Sequence, residues 1–396
     1  MAPLPATVIQ PSCDAIKWLS YSGLAKLRRC ALSAAFTRDS MTRHWSRSSP
    51  SSCLGTARHQ VVEEITLGLQ RGLDAPSSEW ISARFDFLLS EQEKKLAQDW
   101  APATVPTTKR WRDVAYVRAR LLRAFSGSGD AADSQWLSHE AARPEKKAGD
   151  VSGFQTPDRP QDGTVLSEVW LRDSEREFHG QIDQLLERDG SLVVGDLKSG
   201  VGADPTTLLE RHREQMLFYA GIVESTYGEW PVLEIISASD STIPVAYQPS
   251  EVDSLRSKAI EERASFNESL EGQKLLKTCS ASIEACAWCP FQVVCGPFQE
   301  SWPDLVEVIP PNEIRSISLV GGPVESIDSH ASSIDVHMQG ATGIGDGNPS
   351  VIVTRLPSAL ELAVGDTLVI AGFEAASTGN VFPARWDSRI RVIPEG

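Results

Sequence analysis

Apolar residues recur at helical spacing over the first third of the chain, change to strand-like runs in the middle, and end in brief alternating runs. SYSGLAKLRRCALSAAF, residues 20–36, has a serine near its start and a leucine stripe, which predicts one helix. LGTARHQVVEEITLGLQ (54–70) predicts a second, and amphipathic segments around 78–100 and 108–125 predict two more, divided by the breaker run APATVPTT. Residues 126–163, rich in Gly, Ser, Asp and Pro, predict a long flexible loop. Three strands are then expected at about 164–172, 177–187 and 191–198. After them come a helix containing LLERHREQMLFYAGIVEST, a strand near 231–238 and a long polar helix near 250–277. Helices around a short mixed sheet make residues 1–300 an α/β domain. From 306 to 396 the runs IRSISLV, SIDVHMQ, SVIVTRL, DTLVIAGF and IRVI, separated by turn residues, predict a small all-β domain.

The central strands end on charge. DGSLVVGDLKSG (189–200) is apolar up to Asp196 and Lys198, which share one strand face because successive side chains alternate. The preceding EFHGQIDQLLER and the dipeptide Asp189-Gly190 predict a hairpin with a tight type I′ turn. A two-residue loop, or a symmetric four-residue one, places Asp183 directly opposite Asp196. Cβ atoms so opposed are about 4.5–5.5 Å apart, and two carboxylates at that spacing repel unless a cation lies between them. That is the geometry of a metal site.

Composition narrows the class. At 396 residues and 41% apolar, the chain has room for two or three real cores. No apolar run approaches the roughly 20 residues that span a bilayer, and MAPLPATVIQ lacks the features of a signal peptide, so a cytoplasmic location with no membrane partner is expected. The net charge of −15 counts against nucleic acid as a partner, but charge is unevenly spread. Between residues 26 and 58 stand Lys26, Arg28, Arg29, Arg38, Arg43, Arg47 and Arg58 against the single acid Asp39. A solvated helical face and a phosphate-tracking groove both explain that run. No G-x-x-x-x-G-K-[ST] occurs, so P-loop ATP hydrolysis is not expected. Seven cysteines form no small disulfide framework. CAWCPFQVVC places Cys286, Cys289 and Cys295 in C-x2-C-x5-C spacing, with Trp288 among them as a possible shield, and Cys30 lies in the first predicted helix. Cys279 reads as a spare thiol, and Cys13 and Cys53 have no partner pattern.

These residues resemble the RecB-like branch of the PD-(D/E)XK nuclease superfamily over roughly residues 20–300. The matches are Asp183 within GQID, the strand end G-D-L-K-S-G, Gly55-Thr56-Ala57-Arg58-His59 opening a helix, and Gln215-x-x-x-Tyr219. A lone D-x-K is usually a surface ion pair; the ordered coincidence is what identifies the pattern. The resemblance implies a restriction-endonuclease-like α/β core with helical additions. It implies Asp183, Asp196 and Lys198 as catalytic residues, and His59, Asp183, Asp196 and the Leu197 carbonyl as ligands of Mg2+ or Mn2+. Gln215 and Tyr219, one helical turn apart, are then expected on the DNA backbone. The cysteines resemble the iron-sulfur staple of AddB-type and CRISPR-adaptation nucleases, which implies a [4Fe-4S] cluster on Cys30, Cys286, Cys289 and Cys295, with structural Zn2+ as the competitor. Ala31 stands where that family usually has proline.

The all-β end looks like an OB-fold barrel, yet from residue 300 onward it has thirteen acids, five arginines and no lysine. Such a barrel is expected to touch the nuclease domain or a partner more than DNA. The implied activity is phosphodiester hydrolysis on single-stranded or end-exposed DNA, with exonuclease action expected, in repair, recombination or defence against foreign DNA. A helicase or another protein is the expected partner. The alternative is a non-catalytic DNA-binding or scaffold subunit of a helicase-nuclease complex, which predicts a decayed triad, whereas Asp183, Asp196 and Lys198 are all present.

Overall fold

The computed structural model describes residues 9–99, 105–125, 156–162, 164–198, 205–236, 242–271, 274–287, 289–308, 319–343, 350–373, 380–385 and 387–395. The single helix expected over 20–36 is two, α1 (Tyr21–Arg29) and α2 (Ala31–Arg38), because Cys30 between them is extended at φ −168 and ψ 111. The Cys30 N–H still donates to Lys26 and closes α1, while its sulfur accepts the Ser33 N–H and caps α2. A one-residue break leaves the apolar spacing on either side intact, so periodicity does not reveal it. Ala31 is the first residue of α2, a position that proline also tolerates, so the departure from the family pattern leaves the helix start intact.

Next comes α3 (Pro50–Gln70), which begins earlier than its apolar pattern because Pro50 sits in its first turn and Ser49 and Ser52 cap each other. With α4 (Ser78–Asp99) and α5 (Val114–Phe125) it encloses its own core, including Val61, Ile65, Phe85, Leu89 and Leu121. Leu197 belongs to the same core. The helical layer is thereby fixed against the strand end that carries Asp196 and Lys198.

The central sheet runs β1 (Val165–Asp173), β2 (Phe178–Arg188), β3 (Ser191–Leu197), β4 (Val232–Ile236), β5 (Thr242–Pro244), in that order. The first three strands are antiparallel, whereas β3 and β4 are parallel and need a crossover, supplied by α6 (Pro205–Tyr227). Asp189 and Gly190 both take positive φ, 52° and 78°, as a type I′ turn demands. Arg188 therefore pairs with Ser191 and Gln184 with Gly195, which leaves Asp183 opposite Asp196. Phe178, Ile182, Leu185, Val194, Phe218, Ile222 and Ile235 fill the main core between this sheet and its helices. The polar helix expected over 250–277 stops at Ser269 as α7 (Pro249–Ser269), followed by the short α8 (Lys274–Thr278), α9 (Ile283–Cys286) and then α10 (Gly296–Val308). Most of the expected flexible loop, and Trp288, lie outside the described residues. Its end does not float: Arg159 pairs with Glu187 at 2.9 Å and with Glu229 at 2.6 Å.

The C-terminal part is all β: β6 (Leu319–Ser329), β7 (Ser333–Gln339), β8 (Thr342–Gly343), β9 (Ser350–Pro357), β10 (Thr367–Ala371), β11 (Val381–Pro383) and β12 (Arg389–Ile393). They form one path, β11-β9-β7-β6-β10-β12, with β8 on β6. Among the described residues β11 and β12 do not pair with each other, so the sheet is not closed into a barrel. One face holds Val336, Met338, Val353, Ile370 and the edge-on pair Phe373 and Phe382. From the other, Leu319, Val369 and Ala371 join the main core that contains Val293, Val294 and Trp302. Among the described residues, no helix is long and apolar enough to cross a membrane.

Candidate active site

Three acids form a row across three neighbouring strands. β1 pairs Ser167 with Gln184 and Val169 with Ile182, so Glu168 falls opposite Asp183, which in turn falls opposite Asp196. Glu168 sits at φ 51°, in the left-handed region, a strain of the order of 1 kcal/mol. From α3, His59 Nδ1 lies 2.8 Å from Glu168 Oε1 and 3.8 Å from Asp183 Oδ1. One ligand atom from each of these three residues falls within 4.8 Å of the others, a spacing that fits a metal ion. The second Glu168 oxygen accepts from Gln181 at 2.7 Å, and the Leu197 N–H donates to Asp183 Oδ2 at 2.6 Å.

On the other side of the row, Lys198 Nζ stands 2.6 Å from Asp196 Oδ2 and donates to Gln215 Oε1 at 3.0 Å. Gln215 Nε2 donates to the Tyr219 hydroxyl at 2.9 Å. Asp196 is 1% exposed, so its charge sits in a dry site where the ammonium beside it compensates. Among the described residues no lysine pairs with Asp183. Burial first, and the charge of Asp196 second, raise its carboxyl to about 7, with His59 pulling the other way. Burial disfavours a charged His59, but the Glu168 hydrogen bond and the Asp183 charge outweigh it, and the imidazole is held above its ordinary range. His212, one turn before Gln215, is held below that range, by burial first and the Lys198 charge second.

Residues 18–296 match the family pattern of the PD-(D/E)XK nuclease superfamily. The chain belongs to that superfamily. Its nucleases use divalent metals, and the histidine, glutamate and aspartate group supplies donors for one. No curated protein matches the chain. The matched span takes in the central sheet, the acidic row and all the clustered cysteines, and leaves out the C-terminal strands.

Within this PD-(D/E)XK chain, sequence reasoning missed Glu168 and His212. Glu168 carries a legible signal, an acid between the apolar pairs Val165-Leu166 and Val169-Trp170, but its meaning depends on the register with β2. The glycine of GQID also has a task. A Cβ on Gly180 would lie 2.9 Å from the Tyr219 ring, so only glycine lets the tyrosine reach Gln215 over β2. Tyr219 is 8% exposed and its hydroxyl is taken, which makes it a support for Gln215 more than a surface for DNA.

The cysteines converge as well. Cys286, Cys289 and Cys295 each feel the charge of Cys30, which stands at the α1/α2 break. Burial raises the thiols of Cys286, to about 11, and of Cys289 and Cys295. Cys279 is not a bystander: its thiol is hydrogen-bonded to Cys30, which is thereby lowered to about 6. Cys53 is buried in the helical core, and Cys13 is next to Arg38 and Asp39. The C-terminal strands reach this place too, because Arg389 faces Cys289 and Arg391 donates to the Val293 carbonyl.

Proposed function

We propose that this chain is a metal-dependent DNA nuclease of the RecB-like branch that hydrolyses phosphodiester bonds in single-stranded or end-exposed DNA. The observation that carries the reading is the row Glu168, Asp183, Asp196 with Lys198 against its end. The donors fit Mg2+ or Mn2+, since carboxylates suit both and the His59 imidazole favours manganese. Asp183, Asp196, His59 and the Leu197 carbonyl are assigned as ligands, and Glu168 joins them. Such a cation supplies the Lewis acidity that polarises the scissile phosphate and activates water near neutral pH. Lys198 sets a fixed positive charge against the negative charge that grows on the phosphoryl oxygens in the transition state. Gln215 orients that ammonium and Tyr219 orients Gln215, so both act on the DNA backbone through Lys198. The intact row counts against a non-catalytic scaffold.

Cys30, Cys286, Cys289 and Cys295 are assigned to a [4Fe-4S] cluster that ties the start of the domain, residues 1–300, to its end. Zinc with four thiolates at about 2.3 Å sets its sulfurs roughly 3.8 Å apart. The metal content of the purified protein decides between zinc and the cluster. Residues 306–396 are read as an OB-fold-like barrel. Support comes from β6, which pairs with both β7 and β10, from the parallel β9 and β11, and from the chain order, in which β11 and β12 follow each other at the two ends of the path. With Arg389 and Arg391 turned toward the cysteine segment, its task is docking. The setting is DNA repair, recombination or defence in the cytoplasm, beside a helicase that supplies the missing ATPase. Incubation with end-labelled single- and double-stranded DNA in Mg2+, Mn2+ or chelator tests the reading, and products released stepwise from an end mark an exonuclease.

A further inference from the structure

The basic run at residues 26–58 left two readings open, a solvated face or a groove for phosphates. In the fold, part of it lines a cleft of about 710 Å³ between the α1/α2 break and the cysteine segment. Lys26, Arg28 and Arg29 enter this cleft from the last turn of α1, with the hydroxyl residues Ser33 and Thr37 from α2 and Ser282 from the opposite wall. Among the described residues, Glu284 is its one acidic lining residue.

The three cations are not equivalent. Arg28 is committed to Glu214 and Glu262. Lys26 and Arg29, three residues apart and on the same helix side, have no acidic partner among the described residues. The Lys26 ammonium is held below the ordinary lysine range, by partial burial first and by the Arg29 charge second, although the side chain as a whole stays exposed to solvent. Two like charges facing one cleft repel, and an anion between them removes that penalty.

We propose that this cleft is a nucleic-acid backbone site, in which Lys26 and Arg29 bind consecutive phosphates of a strand while the hydroxyls of Ser33 and Ser282 donate hydrogen bonds to phosphate oxygens. The inference rests on the nuclease reading and extends it to a second contact on the substrate. The cleft is far larger than one phosphate and within the range of ligand pockets, about 300–1,000 Å³. The described lining offers cations and hydroxyls to the backbone of a strand, contacts that hold it without regard to sequence. Exposed Arg43, three residues before the lining residue Ser46, continues positive charge along the chain beyond the cleft. The site shares its framework with the active site: Tyr21 and Arg28 of α1 both bond Glu214, the neighbour of Gln215 on α6.

The test uses the full chain carrying Asp196→Asn, in chelator, with a fluorescein-labelled DNA oligonucleotide followed by anisotropy across a salt series. Lys26→Gln with Arg29→Gln should weaken binding at least about 5-fold at roughly 0.1 M salt and flatten the salt slope by about 1.4, about 0.7 for each lost single-strand contact. The control Lys94→Gln, an exposed cation of α4, should change neither. Unchanged affinity and slope in the double variant, an equal loss in the control, or no binding by the parent would overturn the proposal. Displacement of the oligonucleotide by 5′-dTMP at comparable concentration would overturn it too, in favour of a free-nucleotide site. Cleavage by the otherwise wild-type chain is measured separately. Binding that depends on Lys26 and Arg29 without any cleavage sinks the nuclease reading and leaves the cleft standing, and cleavage with no effect of the double variant does the reverse.

Discussion

Glu168 stands directly across from Asp183 in the pairing of β1 with β2, and both carboxylates close on the same nitrogen of His59, at 2.8 Å and 3.8 Å. Two acids around one imidazole are stable together only if the histidine or Asp183 holds a proton or a cation is shared. Glu168→Gln keeps the shape and removes the charge, so Mn2+ binding measured by calorimetry near pH 8 should weaken by about 10- to 100-fold, as is usual when a ligand's support is lost. Wild-type affinity in this variant would show that Glu168 takes no part in holding metal.

The raised Asp183 carboxyl, about 7 in the metal-free protein, carries a pH signature. Its folded value lies above its unfolded value, so the folded state binds the extra proton. Stability from this group is full below about pH 4 and is lost as pH rises toward 7. In chelator, the wild-type unfolding temperature should fall through that window relative to Asp183→Asn, with a gap of a few kcal/mol at most, and divalent metal should restore it above pH 7. Parallel pH profiles for the two proteins would refute the assignment.

Gly180→Ala inserts a methyl group 2.9 Å from the Tyr219 ring. The tyrosine must move and let go of Gln215, so urea unfolding should show a loss of about 1–3 kcal/mol, and nuclease activity should fall with it. Tyr219→Phe, which removes the hydroxyl alone, should be milder in stability, by about 1 kcal/mol.

Protein purified without oxygen should be brown and carry iron, and Cys286→Ser should bleach and destabilise it, because one end of a long-range staple is lost. Stoichiometric zinc in place of iron decides for the other metal. Deleting residues 319–395 should leave measurable nuclease activity yet lower the unfolding temperature, since it strips Leu319, Val369 and Ala371 from the core around Trp302.

What could be read in the sequence follows from how local each signal is. Asp189-Gly190 defines its own turn, the turn defines the register, and the register brings Asp183 to Asp196, so half of the site was legible from fourteen residues. The break at Cys30 was not, because the reason for it lies some 250 residues away, among the other thiols. Glu168 needed the alignment of a third strand, and Cys279 needed the folded chain to bring it to Cys30. The outer strands β5 and β11, three residues each, are too short to carry any period.

The central claim is that Asp196 and Lys198 belong to a metal-dependent cleavage site, and one assay tests it directly. Wild type, Asp196→Asn and Lys198→Gln are incubated with end-labelled single-stranded DNA in Mn2+ or Mg2+ and in chelator, after circular dichroism has established that all three are folded. The account predicts cleavage by wild type only with metal, and a loss of about 100-fold or more in each variant. Cleavage by either variant at the wild-type rate, or cleavage by wild type in chelator, would contradict it.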